Sequence, residues 1–267
     1  MPSNVPPARG TRVLLCPEVA SPPMATEPER LEVSDGTDTV VLTSARNGWL
    51  VELRVEGDDD VRRQRLLEAA TQTVMLGEGG RLELWIEDAT PACDRVPLAA
   101  GFTHFRDLWR LERPLPAPDT DLSTRAFSSA DADAFLEVNN RAFHWHPDQS
   151  DLTHEELAQK CAEPWFDPDG FRLFELEGRL AGFCWTKVHT DETPPAGEIY
   201  AIAVDPDFHG RGLGRELLLD GLAWLAGQGL RHGMLYVESD NRHANRLYDE
   251  LGFRRSRIDR AFQRIVR

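Results

Sequence analysis

The sequence repeats itself. Shifted by 151 residues, so that residue 85 falls on residue 236, its two halves share apolar pattern and punctuation without a gap. Trp85-Ile-Glu87 falls on Tyr236-Val-Glu238, and Gly101-Phe102 falls on Gly252-Phe253. Leu66-Leu67 meets Leu217-Leu218, and Trp49 to Glu52 meets Tyr200 to Ala203. A long-period self-match constrains the fold more than local propensity does, because each copy must build the same unit. The alternative is two unrelated segments of similar element lengths, and agreement at four places in one frame favours duplication. The copies differ at an informative place: His209-Gly-Arg-Gly-Leu-Gly214 falls on Asp58-Asp-Asp-Val-Arg-Arg63, and Glu198 falls on Asn47. Whatever the glycine loop does, the first copy does not do it.

The 267 residues suffice for two ordinary domains, each with its own core. Residues 1 to 30, rich in Pro, Ser and Glu, read as a disordered or loosely packed lead-in. Thr39 to Thr43 and Trp49 to Val55 read as strands, Val61 to Met75 as a helix, and Leu82 to Ile86 and Phe105 to Leu111 as strands. The repeated Pro of Arg113 to Thr120 excludes helix and central strand and marks a linker. Beyond it, Leu122 to Ala126 reads as a strand, and Ser128 with Asp131 and Thr153 with Glu156 open two helices. Phe171 to Leu176 and Leu180 to Val188 form a hairpin about Glu177-Gly178, and Glu198 to Val204 follows as a strand. Leu213 to Ala226 is a helix, Met234 to Glu238 a strand, His243 to Leu251 a helix stopped by Gly252, and Arg254 to Val266 a last strand. The expected fold is α/β with a mixed sheet, as two tandem domains: a shortened, degenerate one over 31–113, a linker over 114–121, and a complete one over 122–267.

Asp and Glu outnumber Lys and Arg by 45 to 30, a formal charge of −15. Such a surface repels phosphate backbones and anionic lipid heads, so neither nucleic acid nor membrane is an expected partner. No apolar run nears the ~20 residues of a spanning helix, and Met1 to Pro23 lacks a signal-peptide core. The four cysteines are scattered without a CxxC, which argues against a disulfide framework and a zinc site. A cytoplasmic monomer without metal is expected. Lysine occurs only at Lys160 and Lys187, so each is conspicuous.

Val204 to Arg215 reads as strand, turn and helix start, with glycines at 210, 212 and 214. Glycine lets backbone approach a ligand, and the free N–H groups of a helix start make an anion site suited to a pyrophosphate. Arg211 and Arg215 add positive charge there. No GK[ST] follows, and the glycine spacing is wrong for a dinucleotide fingerprint.

This segment resembles motif A of the GCN5-related N-acetyltransferases, [Gln/Arg]-x-x-Gly-x-[Gly/Ala], with His209 at the first position. Leu235 to Phe253, carrying Asn241, Ala244, Tyr248 and Gly252-Phe253, resembles the second motif of that family. Val138 to Phe143, His146 to Gln149, Glu163 to Gly170, Gly182 to His189 and Gly197 to Tyr200 further resemble the mycothiol synthases, tandem acetyltransferase repeats whose C-terminal copy is active. The resemblance implies acetyl-CoA as co-substrate, its pantetheine arm along Ile202, Ala203 and Val204. Its pyrophosphate would lie on His209, Gly210, Arg211, Gly212, Leu213, Gly214 and Arg215. The segment Asn241, Arg242, His243, Ala244, Asn245 and Arg246 would complete the cofactor site. The acceptor implied is the cysteinyl amine of cysteinyl-glucosaminyl-inositol, a small-molecule pseudodisaccharide. Another primary amine, or a non-catalytic acetyl-CoA-binding regulator, are the other readings.

A protonated amine must lose a proton before it attacks a thioester, and a carboxylate beside the acetyl group can take it. Glu198, at the start of the strand that leads to the loop, is the candidate base; a strand-end Glu in solvent is its bland reading. Tyr248 is the candidate acid for the leaving thiolate, though a phenol also suits plain core packing. Lys187, within Trp-Thr-Lys, and Asp148, where the family has Glu, are candidate substrate contacts with Glu198 and Tyr236. Trp145, Trp165 and Trp185 are expected in a core or pocket wall. His144 and His146 are expected in a loop or polar pocket.

Overall fold

The period-2 apolar stretches form strands, and the 3.6-period stretches form helices packed upon them. The structure, a computed structural model, describes residues 29–45, 48–144 and 151–267. The lead-in to residue 28, Asn47, Trp145, His146 and the candidate substrate contact Asp148 lie outside these residues. The chain runs β1 (Arg30–Asp35), β2 (Asp38–Ala45), β3 (Gly48–Arg54), α1 (Asp60–Leu76), β4 (Gly80–Ile86), α2 (Arg95–Ala99) and β5 (Thr103–Pro114). It continues through β6 (Arg125–Ala126), α3 (Ala132–Ala142), α4 (His154–Ala162), β7 (Phe171–Leu176), β8 (Arg179–His189) and β9 (Ala196–Val204). It ends with α5 (Leu213–Gly227), β10 (His232–Glu238), α6 (Arg242–Glu250) and β11 (Arg254–Val266). The order β1-β2-β3-α1-β4-α2-β5 recurs as β7-β8-β9-α5-β10-α6-β11. Among the described residues no helix is long and apolar enough to cross a membrane.

Contacts group the chain into two units, and the division differs from the expected one at the last strand. One unit holds the described residues up to Leu108 together with Arg257–Arg267; the other holds Trp109–Ser256. In the first, the strand order is β1-β2-β3-β4-β11. β11 runs antiparallel to β4, from Arg260 opposite Ile86 to Val266 opposite Gly80. Phe262 is fully buried in one cluster with Leu66, Leu67, Leu82, Leu84 and Phe102. The apolar face of β11 and its ladder therefore place the final strand with the first unit, although its sequence position suggests the second.

In the second unit the strand order is β5-β10-β9-β8-β7-β6, with β5 supplying its residues from Trp109 on. β7 and β8 pair about Glu177 and Gly178, both at positive φ (56° and 75°), as a tight two-residue hairpin requires. One face of this sheet carries a leucine cluster from α5 (Leu217, Leu218, Leu222, Leu225) with Ile199, Leu235 and Cys184. The other carries an aromatic cluster of Phe127, Phe135, Phe171, Phe183 and Trp185. There Phe171 and Trp185 stack with centroids 4.3 Å apart.

Both capping boxes form: Ser128 and Asp131 open a 3-10 turn ahead of α3, and Thr153 and Glu156 cap α4. The strand expected over Leu122 to Ala126 shrinks to the two residues of β6. The five-residue α2 has no counterpart in the sequence reading, because a helix of little more than one turn carrying Pro97 shows no periodicity.

Candidate active site

The site begins where two parallel strands part. β9 and β10 are in register at only three places: Gly197 with Gly233, Glu198 with Met234, and Ile199 with Leu235. β9 continues to Val204 and β10 to Glu238, and no pairing follows between them among the described residues. On its other side β9 stays paired with β8, from Ala201 opposite Trp185 to Val204 opposite Gly182. The ladder slips between Trp185 and Thr186, so that Tyr200 bulges out of register. One edge of β9 beyond Ile199, Ile202, Ala203 and Val204 included, thus has no strand partner. An extended ligand arm can pair there as an added strand would.

Side chains at the fork sort by face. Ile199 enters the leucine cluster, so Glu198 points the other way. Glu198 is 5% exposed, and its Oε2 lies 2.7 Å from His189 Nε2. Lys187 is opposite Glu198 in the β8–β9 ladder, and its Nζ lies 4.7 Å from the ring centre of Trp165. Trp165 in turn packs on Tyr200 at 5.0 Å, and Lys160 Nζ donates to Tyr200 Oη at 2.8 Å. Both lysines of the chain therefore meet the same aromatic pair. Tyr236 shares the Glu198 face by alternation along β10 and stands within electrostatic reach of Arg110. Arg110 is itself ion-paired with Glu192 at 2.8 Å. Sequence reasoning missed His189, Lys160 and Arg110. The signals available were the period of β8, which puts His189 on the face of Lys187, and the rarity of lysine.

The glycine loop closes the strand end. His209 Nε2 bonds the carbonyl of Val204 at 2.9 Å, holding the turn on β9. Gly210 and Gly212 both have φ of 77°, and a Cβ at either would meet nothing within 4 Å. Gly212 stands at the N-cap of α5 with no side chain capping the helix, so first-turn N–H groups around Leu213, Gly214 and Arg215 lack a side-chain acceptor. Arg211 is exposed, 3.0 Å from Glu177 and over the ring of Phe208. Arg215 lies 3.9 Å from Glu216. The corresponding end of α1 is occupied from within: Asp59 accepts the N–H of Arg62 at 3.0 Å, which holds its carboxyl below the usual range. Arg63 pairs with Asp58 at 2.5 Å.

On the second motif, Asn241 caps α6 by accepting the N–H of Ala244 at 3.2 Å. Asn245 ties the preceding turn through the carbonyls of Glu238 and Ser239. Arg242 and His243 are exposed on the first turn, and Arg246 pairs with Glu250. Tyr248 is not on the Glu198 face: it lies in the leucine cluster with Cys184, its ring 5.7 Å from Phe253. Burial pushes its phenol up, so it stays protonated at neutral pH. Trp185 is buried in the aromatic core and Trp165 lines its edge. His144 turns back on the carbonyl of Arg141 at 3.0 Å. Among the described residues no group of three or more His, Cys, Asp and Glu is placed to hold a metal ion.

The profile of the Acetyltransferase (GNAT) family matches residues 133–253, the stretch that contains the fork, the loop and α6. Mycothiol acetyltransferase of Thermobispora bispora is 43% identical over 213 residues, 76% of this chain and 72% of that protein. The chain belongs to the mycothiol acetyltransferase family. The Acidothermus cellulolyticus member is 39% identical over 249 residues, 86% of this chain and 74% of its own. The fold is likewise that of a solved tandem GNAT protein from the clavulanic acid biosynthesis pathway, with a TM-score of 0.65, 15% identity, and 92% and 84% of the two chains covered. In a family of acyltransferases, the strand fork and the uncapped start of α5 are the features to which a function must attach.

Proposed function

We propose that this chain transfers the acetyl group of acetyl-CoA to the cysteinyl amine of cysteinyl-glucosaminyl-inositol, forming mycothiol. The observation that carries the reading is the fork itself: a buried carboxylate, Glu198, one rung before β9 loses its partner strand and runs to an uncapped helix start. The residues present fit acetyl-CoA. The free edge of β9 can pair with a pantetheine arm, and the open Gly210–Gly214 turn with the α5 amides suits a pyrophosphate. Bound there, acetyl-CoA supplies an activated acyl carbon.

Glu198 takes a proton from the substrate ammonium, directly or through one water. The freed nitrogen lone pair forms the C–N bond and the C–S bond breaks; Tyr248, which is buried on the sheet face opposite Glu198, is assigned as the donor of the proton that the departing sulfur takes up. The second proton lost by nitrogen restores the phenol, so each turnover yields amide, thiol and one released proton. Lys187, Tyr236 and Asp148 are assigned to the acceptor, whose hydroxyls suit such donors and acceptors.

The repeated element order supports a duplication in which the first copy has lost its cofactor site, since Asp59 fills the helix start that Gly212 leaves open. The test is CoA release by the purified chain with acetyl-CoA and the cysteinyl pseudodisaccharide. Release matched by N-acetylated product is expected, and better kcat/KM on an unrelated amine would overturn the substrate assignment.

A further inference from the structure

His189 has no role in the mechanism above, yet its Nε2 lies 2.7 Å from Glu198 Oε2. It ends β8, opposite Ala196, two residues beyond Lys187 and on the same strand face. Its side chain is 13% exposed and that of Glu198 is 7%, with Nε2 and Oε2 2.7 Å apart. A buried carboxylate has two oxygens and one free torsion near its end, so a single directional bond decides which oxygen faces the reaction. The bond to an ionised partner is short and strong, and it holds best where water is excluded.

We infer that His189 is a positioning residue for the catalytic base: its Nε2–H holds Oε2 of Glu198 so that Oε1 is left to receive the proton of the substrate amine. The inference rests on the reading of Glu198 as the base. With Oε2 occupied by a donor, the arriving proton goes to Oε1, and no proton transfer to the imidazole is required. Lys187 faces Glu198 from β8, Tyr236 from β10 and Tyr200 from β9. The 2.7 Å bond from Nε2 is a direct, directional contact to one oxygen of the carboxylate.

The test uses the full chain with the cysteinyl amine and acetyl-CoA, and compares H189L, H189F, H189Q, E198Q and the double variant E198Q/H189L. Displacing a reacting group by about 1 Å can cost on the order of 100-fold. H189L and H189F should therefore lower kcat roughly 10- to 100-fold while KM for acetyl-CoA stays within about twofold. Glutamine places an N–H near the position of Nε2, so H189Q should recover most of the loss. Residues acting as a unit are non-additive; E198Q/H189L should be no slower than E198Q alone. H189F keeps ring volume, so a failure of H189L to fold leaves the test intact. Unchanged kcat in H189L or H189F, or a double variant slowed by the product of the single effects, overturns the inference. A small loss in E198Q instead overturns the assignment of the base, and that outcome is distinct.

Discussion

Glu198 owes its chemistry to one rung of a ladder. Pairing with Met234 fixes its backbone, the next rung is the last, and the side chain is enclosed on the face away from the leucine cluster. Replacing it by Gln keeps shape and removes the proton acceptor. Glu198→Gln should lower kcat by roughly 10²- to 10⁴-fold, while calorimetry finds acetyl-CoA affinity within about threefold; a matching collapse of affinity would contradict the assignment. The candidate residue could be named from the sequence because it precedes the glycine loop on one strand. The period of β8 puts His189 on the same face, but its contact with Glu198 could not be read, because it depends on antiparallel register between β8 and β9, which a bulge at Tyr200 shifts by a residue. Tyr248 shows the converse. Its position on α6 was legible, but its enclosure with Cys184 depends on how that helix packs.

At the scale of elements, two helix starts that fall within two residues of each other at the 151-residue offset are opposites in structure. α5 begins at an uncapped glycine, and α1 begins under Asp59 with Asp58 and Asp60 beside it. Titration calorimetry should accordingly give about one CoA per chain, and a stoichiometry near two would contradict the account. The start of α3 supplies a pH test. Arg125 beside Asp131 holds its carboxyl down at about 2, against an ordinary 3.8, with the N–H of Ser128 adding to the effect. A depressed carboxylate contributes stability that is present above pH 3.8 and lost as pH falls through about 2. Asp131→Asn should thus flatten the fall of the urea midpoint between pH 4 and 2, and an unchanged slope would argue against the pairing. Capping boxes and the Glu177-Gly178 turn were legible because their chemistry is local. α2 and the shrinkage of β6 were not, since neither has a local signature.

Over the whole molecule, the repeat was legible and the threading of its last strand was not. Offset matching aligns residues 103–114 with 254–265, so it treats β5 and β11 as equivalent closing strands. It carries no information about which sheet each one enters. The structure puts Arg257–Arg267 in the first unit and Trp109 onward in the second. A fragment cut at the sequence-derived boundary, 122–267, would lack buried Leu111 and would expose Ala261 and Phe262. That fragment should show no cooperative thermal transition and should bind an apolar-surface dye. A sharp transition with native near-ultraviolet dichroism would contradict the division. The charge of −15 then reads locally as well as globally: it disfavours polyanions, while Arg211 and Arg215 stand at the loop assigned to a pyrophosphate.

The central claim is acetyl transfer to a cysteinyl amine at the β9–β10 fork, and its most direct measurement is turnover. The purified full chain, given acetyl-CoA and cysteinyl-glucosaminyl-inositol, should release CoA and N-acetylated product in equal amounts. CoA release no faster than without the amine, from protein that is folded and binds acetyl-CoA, would contradict it.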